Sequence, residues 1–140
     1  MRKVFADTLY WIAIVKPGDT YEAAAKEAGQ AVKPCVIVTT DEVLYEFVNA
    51  LSKGGPAIRD KAVKTVKTIL GNANVKVVVQ SRETLMRALD RFSKRPDKEY
   101  SLTDCSSMNV MEAEGIRDIL TNDHHFQQEG FNVLIRLRDR

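Results

Sequence analysis

The stretch Cys35-Val36-Ile37-Val38-Thr39-Thr40-Asp41-Glu42-Val43-Leu44-Tyr45-Glu46 carries the architecture of this chain. A short apolar run that ends in threonines has the length and residue types of a buried strand. Thr39, with Glu42 three residues on, forms a capping-box pattern that opens a helix. Val43, Leu44, Phe47, Val48 and Leu51 recur at helical spacing, so the helix is expected to run to about Lys53, where Gly54-Gly55-Pro56 breaks it. A buried strand that feeds directly into an amphipathic helix is the unit of a parallel sheet covered on both faces.

The same unit recurs on either side. Residues 3–6 read as a first strand, followed by a helical turn through Leu9, Tyr10, Ile12, Ala13 and Ile14 that stops at Pro17-Gly18. Asp19 or Thr20 is expected to cap a helix from Tyr21 to Ala28, closed by Gly29. After Pro56, residues 57–70 read as a helix with Ile58, Ala62, Val66, Ile69 and Leu70 as its apolar stripe and Gly71 as its stop. Val75–Val79 is a third strand. Ser81 caps a helix to about Ser93, with Leu85, Met86, Leu89 and Phe92 as its stripe. Ser101 caps another that Gly115 closes. Arg117–Leu120 and Val133–Leu137 are the last strands, and a short helical segment, Asp123–Glu129, lies between them. The pattern implies an α/β domain, a three-layer α/β/α sandwich around a mainly parallel sheet, with right-handed crossovers gathering the strand ends on one edge. One domain over residues 1–140 is expected, because 140 residues are too few for two ordinary cores.

Composition narrows the class. With 44% hydrophobic and 29% charged residues, the chain is neither disordered nor membrane-spanning. Asp7 interrupts the N-terminus before a signal-peptide core forms, so a cytoplasmic location is expected. Cys35 and Cys105 have no CxxC spacing and no histidine at zinc-ligand distance, so they read as buried thiols. His124 and His125 are adjacent and read as a surface pair. The net charge of +2 is uneven: residues 53–98 carry 12 basic and 4 acidic side chains. That basic centre is either a phosphate-attracting patch or the solvated outer faces of two helices. Within it, Arg87, Arg91 and Arg95 share a helix face, and Lys61, Lys64 and Lys67 lie mostly off the preceding apolar stripe; these six are the candidate phosphate-backbone contacts.

Four acids stand at element boundaries: Asp7, Glu46, Asp104 and Asp123. Each has a structural alternative. Asp7 fits a turn, Glu46 a solvated helix face, Asp104 a capping box with Ser101, and Asp123 an N-cap. Together they would converge outside the carboxyl ends of the strands, where open α/β sheets bind ligands. Close carboxylate pairs there repel by about 4 kcal/mol each at an effective dielectric near 20. A hard Mg²⁺ or Mn²⁺ ion relieves that repulsion and favours oxygen ligands.

Four segments together resemble PIN-domain ribonucleases of the VapC toxin type. They are Phe5-Ala6-Asp7-Thr8, Thr39 through Glu46, Ser101-Leu102-Thr103-Asp104-Cys105, and Leu120-Thr121-Asn122-Asp123-His124-His125-Phe126, with Glu129-Gly130-Phe131 closing the match. The resemblance implies cleavage of RNA phosphodiester bonds by a metal-dependent hydrolase. It implies Asp7, Glu46, Asp104 and Asp123 as the catalytic, metal-binding quartet, and Thr8, Thr103 and Thr121 as supporting hydroxyls. It further implies toxicity, a small cognate antitoxin and a homodimer; the apolar face of residues 9–14, with Tyr10, Trp11 and Ile14, offers either a contact surface for these or, as is more usual for such residues, core packing. Two other classes compete: a stand-alone RNA-processing nuclease, and a PIN-like module that binds RNA or protein without cutting. The intact quartet argues against the second. A receiver-like phosphoryl-transfer domain would need a strand-end lysine opposite the acids, and none is evident.

Overall fold

The computed structural model describes residues 1–137. Its elements run β1 (Lys3–Ala6), α1 (Thr8–Val15), α2 (Glu22–Ala31), β2 (Val36–Thr40), α3 (Asp41–Ala50), α4 (Pro56–Gly71), β3 (Val75–Val78), α5 (Arg82–Ser93), α6 (Leu102–Glu114), β4 (Asp118–Leu120), α7 (His124–Gln128) and β5 (Asn132–Val133). The five strands form one sheet in the order β3-β2-β1-β4-β5, and every pairing is parallel. Helices flank the sheet, as the strand–helix alternation predicts.

The order explains where a ligand can sit. The chain winds outward from β1 through β2 to β3, then returns to the far side of β1 to lay down β4 and β5. The direction therefore reverses between β1 and β4, whose residues pair as Phe5↔Ile119 and Ala6↔Leu120. A crevice opens outside the carboxyl ends of two strands at such a switch point. Asp7 follows β1 directly, and Thr121, Asn122 and Asp123 follow β4.

The central strand is the driest part of the molecule: Val4, Phe5 and Ala6 are completely buried. Trp11 on α1 packs into the same core, and its indole Nε1 donates to Thr39 Oγ1 at 3.4 Å. Thr39 in turn donates to the Ala6 carbonyl at 2.9 Å. This chain of polar contacts ties α1 to the ends of β1 and β2, immediately behind Asp7.

Several boundaries depart from expectation, each for a local reason. Thr40, not Thr39, caps α3, accepting from the Val43 amide at 3.1 Å, because the Thr39 hydroxyl is committed to the core contacts just described. The helix ends at Ala50, and residues 51–54 turn before Gly55 rather than extending it. Gly29 lies inside α2 and does not close it. A Cβ there would stand 2.7 Å from the Tyr10 hydroxyl, so the glycine permits close packing of α2 on α1. The expected stripe of α5 is largely solvent-facing: Met86, Leu89 and Phe92 are exposed, and Ala88 is the residue that α5 buries. The small Ala88 lets α5 lie close on α6. Arg91 seals the seam by bonding Asn109 and Glu112 on α6 and Glu129 beyond α7. The last strand is shorter than expected. Past Val133 the chain still leans on β4 through the Leu134 and Ile135 amides, but the Ile135 carbonyl is taken by the Asn122 side chain at 2.7 Å.

One buried group is left unmatched. Ser107 on α6 is fully buried, and its hydroxyl has no hydrogen-bond partner among the described residues. An unpartnered buried hydroxyl carries a desolvation cost that alanine would remove, and alanine also favours the helix. Ser107→Ala is expected to raise unfolding stability by roughly 1 kcal/mol. Chemical denaturation of the two proteins measures this, and a destabilised variant would show that the hydroxyl is satisfied in solution.

Candidate active site

Asp7, Glu46, Asp104 and Asp123 line one cleft of about 560 Å³ at the switch point. Thr8 and Thr121 line it with them. Asp19, Glu99, Ser101 and His125 add to the same wall, and no lysine or arginine does among the described residues. Thr103 is elsewhere: it lines a neighbouring cleft with Glu42, Tyr45 and Gln80, on the far side of Glu46. Its place near the acids is taken by Ser101.

Local folding rules place the acids. Asp7 is the N-cap residue of α1, and Asp123 is the N-cap residue of α7, where its Oδ1 accepts from the His125 amide at 2.9 Å. Asp104 closes a capping box on α6: its amide donates to Ser101 Oγ at 3.0 Å, and its Oδ2 accepts from the Ser101 amide at 3.2 Å. Three of the four carboxylates thus sit at helix N-termini, where the backbone dipoles favour negative charge. Glu46 comes from the body of α3 and is steered by Thr8, whose hydroxyl donates to Oε1 at 2.6 Å. The structural roles that compete with a catalytic one for Asp104 and Asp123 are therefore real, and they position the carboxylates rather than remove them from the cleft.

Each acid is anchored through one named oxygen. For Asp7 that oxygen is Oδ2, which accepts from the Thr121 hydroxyl at 2.9 Å. For Glu46 it is Oε1, for Asp104 Oδ2, and for Asp123 Oδ1. The Thr8 amide also holds the Asp7 carboxylate, and these contacts leave Glu46 Oε2, Asp104 Oδ1 and Asp123 Oδ2 without a hydrogen bond among the described residues. Facing ligand atoms of Asp104, Asp123 and His125 lie within 4.8 Å of one another. His125 Nδ1 is 3.3 Å from Asp104 Oδ2 and 3.4 Å from Asp123 Oδ1.

The electrostatics are severe. Asp7 is only 7% exposed. Burial pushes its pKa up to about 7; the Thr8 amide and the Thr121 hydroxyl oppose this, and the charges of Asp104 and Glu46 add to it. Asp104 is also raised, by burial first, with Asp123 adding to it and His125 opposing it. An oxygen-rich cluster that resists ionisation on its own fits a hard divalent cation, which favours the charged form of every member.

The histidine pair divides. His124 is exposed, whereas the Asp123–His125 turn brings His125 into the cleft. Its ring meets Tyr100 edge-on with centroids 5.2 Å apart. Tyr100 donates to Glu129, and burial together with that carboxylate pushes its hydroxyl up to about 12. Arg91 and Arg95 both bond the same Glu129. Periodicity gave no signal for Asp19, Glu99 or His125. The Asx-type spacing of Asp123 and His125 is the one local cue that places the imidazole.

The basic candidates scatter. Arg91 is turned inward, with its side chain 11% exposed and its guanidinium engaged by Glu112 and Glu129. Arg87 pairs with Glu83 on its own helix. Lys61 and Lys64 line a cavity of about 910 Å³ that also meets Met1, Cys35 and Val75, at the amino ends of the strands and away from the acids. Lys64 pairs with Asp60, and Lys67 is exposed. Arg95, with its side chain 41% exposed, is linked to the cleft through Glu129, Tyr100 and His125.

Asp7 makes stability depend on pH. In the unfolded chain it titrates near 3.8, and in the folded protein near 7. The folded state holds the extra proton between those values, so the contribution is complete below the lower value and is lost as pH rises through the higher one. Without divalent cations, Asp7→Asn is expected to be more stable than the parent at pH 8, by a few kcal/mol. The gap should close toward pH 4. Denaturation in EDTA across this range checks it; a variant less stable than the parent at pH 8 would contradict the assignment.

The PIN domain family model matches residues 4–132. Among curated proteins, the 23S rRNA-specific endonuclease VapC20 of Mycobacterium tuberculosis, from strains CDC 1551 / Oshkosh and ATCC 25618 / H37Rv, is 28% identical over 128 residues. The alignment covers 91% of this chain and 95% of the relative. The crystal structure of Mycobacterium tuberculosis VapC20, described as a sarcin-ricin loop cleaving toxin, superposes with a TM-score of 0.80 at 28% identity, over 91% of this chain and 95% of that one. The chain belongs to the PIN-domain family, and its likeness to VapC-type ribonuclease toxins, first read from four short segments, extends over nearly its whole length.

Proposed function

We propose that this protein is a divalent-metal-dependent ribonuclease whose acidic quartet cleaves RNA phosphodiester bonds, and that it is the toxin of a VapBC-type pair. The observation that carries the reading is the convergence of four carboxylates, each held by a hydrogen bond, at the switch point of a PIN-domain sheet. The side chains that would hold Mg²⁺ or Mn²⁺ are Asp7, Asp104, Asp123 and Glu46. A bound cation there supplies charge stabilisation at phosphorus and a bound water of lowered pKa.

The chain's own residues do the positioning. Thr121 holds Asp7, and its Oγ1 also accepts from the Asp123 amide at 3.2 Å, linking two of the acids. Thr8 sets Glu46. Ser101 sets Asp104. His125 bridges Asp104 and Asp123, and Tyr100 backs its ring. Arg95 is the basic side chain placed to meet an RNA strand entering the cleft. Lys61, Lys64, Lys67 and Arg87 contribute long-range attraction, which carries salt dependence without sequence preference. Arg91 serves the scaffold instead. In this reading the protein acts in the cytoplasm, as a homodimer restrained by a small antitoxin. Among the described residues, no helix is long and apolar enough to cross a membrane.

The relatives' substrate makes 23S rRNA, and its sarcin-ricin loop in particular, the first RNA to test. Purified protein should cut RNA with Mn²⁺ or Mg²⁺, and EDTA should stop it. Asp104→Asn should lower the rate by on the order of a hundredfold or more, with circular dichroism unchanged. A variant that cuts as fast as the parent would remove the quartet from the mechanism.

A further inference from the structure

Beside the acidic cleft lies a second one of about 490 Å³, and Glu46 lines both. Its chemistry differs. No lysine or arginine lines it among the described residues, so it offers nothing to a phosphate. It presents Tyr45, which is 69% exposed although it is a large aromatic on a well-packed helix. Around Tyr45 stand the amides of Asn49 and Gln80, the hydroxyl of Thr103 and the aliphatic side chain of Leu85. Among the described residues, the side chains of Tyr45, Asn49, Gln80 and Thr103 make no hydrogen bond within the fold. Glu42 also faces the cleft and is held by the Ser106 hydroxyl through Oε2.

We propose that this second cleft binds an unpaired nucleobase of the RNA, next to the phosphate that is cut, with Tyr45 as the stacking platform; the proposal rests on the ribonuclease reading of the acidic cleft. Proteins read single-stranded RNA by stacking splayed bases on aromatic rings and bonding their edges with amides, hydroxyls and carboxylates. Amides and a hydroxyl are unspent here in Asn49, Gln80 and Thr103, and Glu42 adds a carboxylate that Ser106 holds through one oxygen. The shared wall at Glu46 makes the two clefts adjacent, so a strand whose phosphate lies at the quartet can place a neighbouring base against Tyr45. Glu42, whose Oε2 is held by Ser106, adds a carboxylate acceptor that favours a base edge presenting N–H donors.

The test uses short single-stranded RNAs spanning a cleavage position mapped in total RNA, with 2-aminopurine or an abasic site placed at each flanking nucleotide in turn. With the parent protein in Ca²⁺, 2-aminopurine fluorescence should be quenched at one position, and Tyr45→Ala should abolish that quenching while Tyr45→Phe keeps it. In Mn²⁺, Tyr45→Ala should lower kcat/KM on intact RNA by about tenfold. It should show no further loss when that position is abasic. Tyr45→Ala cleaving at the parental rate, or equal abasic penalties in both proteins, would overturn the subsite and leave the nuclease reading intact. Tyr45-dependent quenching in a protein that cuts no RNA would uphold the subsite and sink the nuclease reading. A Tyr45→Ala variant that binds RNA normally but alters the oligomeric state would assign this face to a protein partner and overturn the proposal.

Discussion

A carboxylate buried among other carboxylates is the constraint around which this molecule is built. Asp7 directly follows the driest strand in the sheet and is almost excluded from water. Left alone it takes up a proton near neutrality. The fold tolerates the cluster because its members are spread over backbone positive ends: the N-termini of α1, α6 and α7 each meet an acid, and Thr8 and Thr121 supply hydroxyl donors to Glu46 and Asp7. These contacts offset the cost of burial and the added mutual repulsion only in part, so the pKa values of Asp7 and Asp104 stay raised. The remainder is energy that a divalent cation can recover on binding.

The scaffold around the cleft holds that arrangement still. Trp11, Thr39 and the Ala6 carbonyl form a buried relay that locks α1 behind Asp7. On the opposite wall, Glu129 gathers Arg91, Arg95 and Tyr100, and Tyr100 carries His125 to its place between Asp104 and Asp123. Glu129 is itself only 12% exposed, and this close ionic cluster joins α5, α6 and the end of α7. Truncating one partner of such a pair strands a buried charge, so the network stabilises a geometry more than it adds net stability.

The sheet, its parallel sense and the order of its elements were readable from alternation of apolar runs and amphipathic helices, because those depend on local periodicity. So was the approach of Asp7 and Asp123, because acids that follow parallel strands converge where the strands end; Glu46 and Asp104 reach the same cleft from α3 and α6. What periodicity could not supply was three-dimensional choice. Thr39 and Thr40 are chemically equal candidates for a cap, and only the contact of Thr39 with Trp11 and Ala6 separates them. Gly29 looks like a helix stop, yet it is a point of close approach by Tyr10. Arg91 has the spacing of a surface helix residue and is drawn inward by carboxylates distant in sequence. Thr103 adjoins Asp104 in the chain, but it lines the neighbouring cleft instead. The single-turn spacing that brings His125 to the acids is too short to stand out from noise.

The most direct test of the account is the proton balance of cation binding. Isothermal titration of Mn²⁺ into the protein at pH 6, repeated in buffers of different ionisation enthalpy, measures the protons released. Asp7 is mostly protonated there without a cation, so binding should release about one proton per protein, and Asp7→Asn should remove most of that release. Tight Mn²⁺ binding with no proton release, or with the same release from the variant, would contradict the claim that a buried, protonated Asp7 lies at the centre of the metal site.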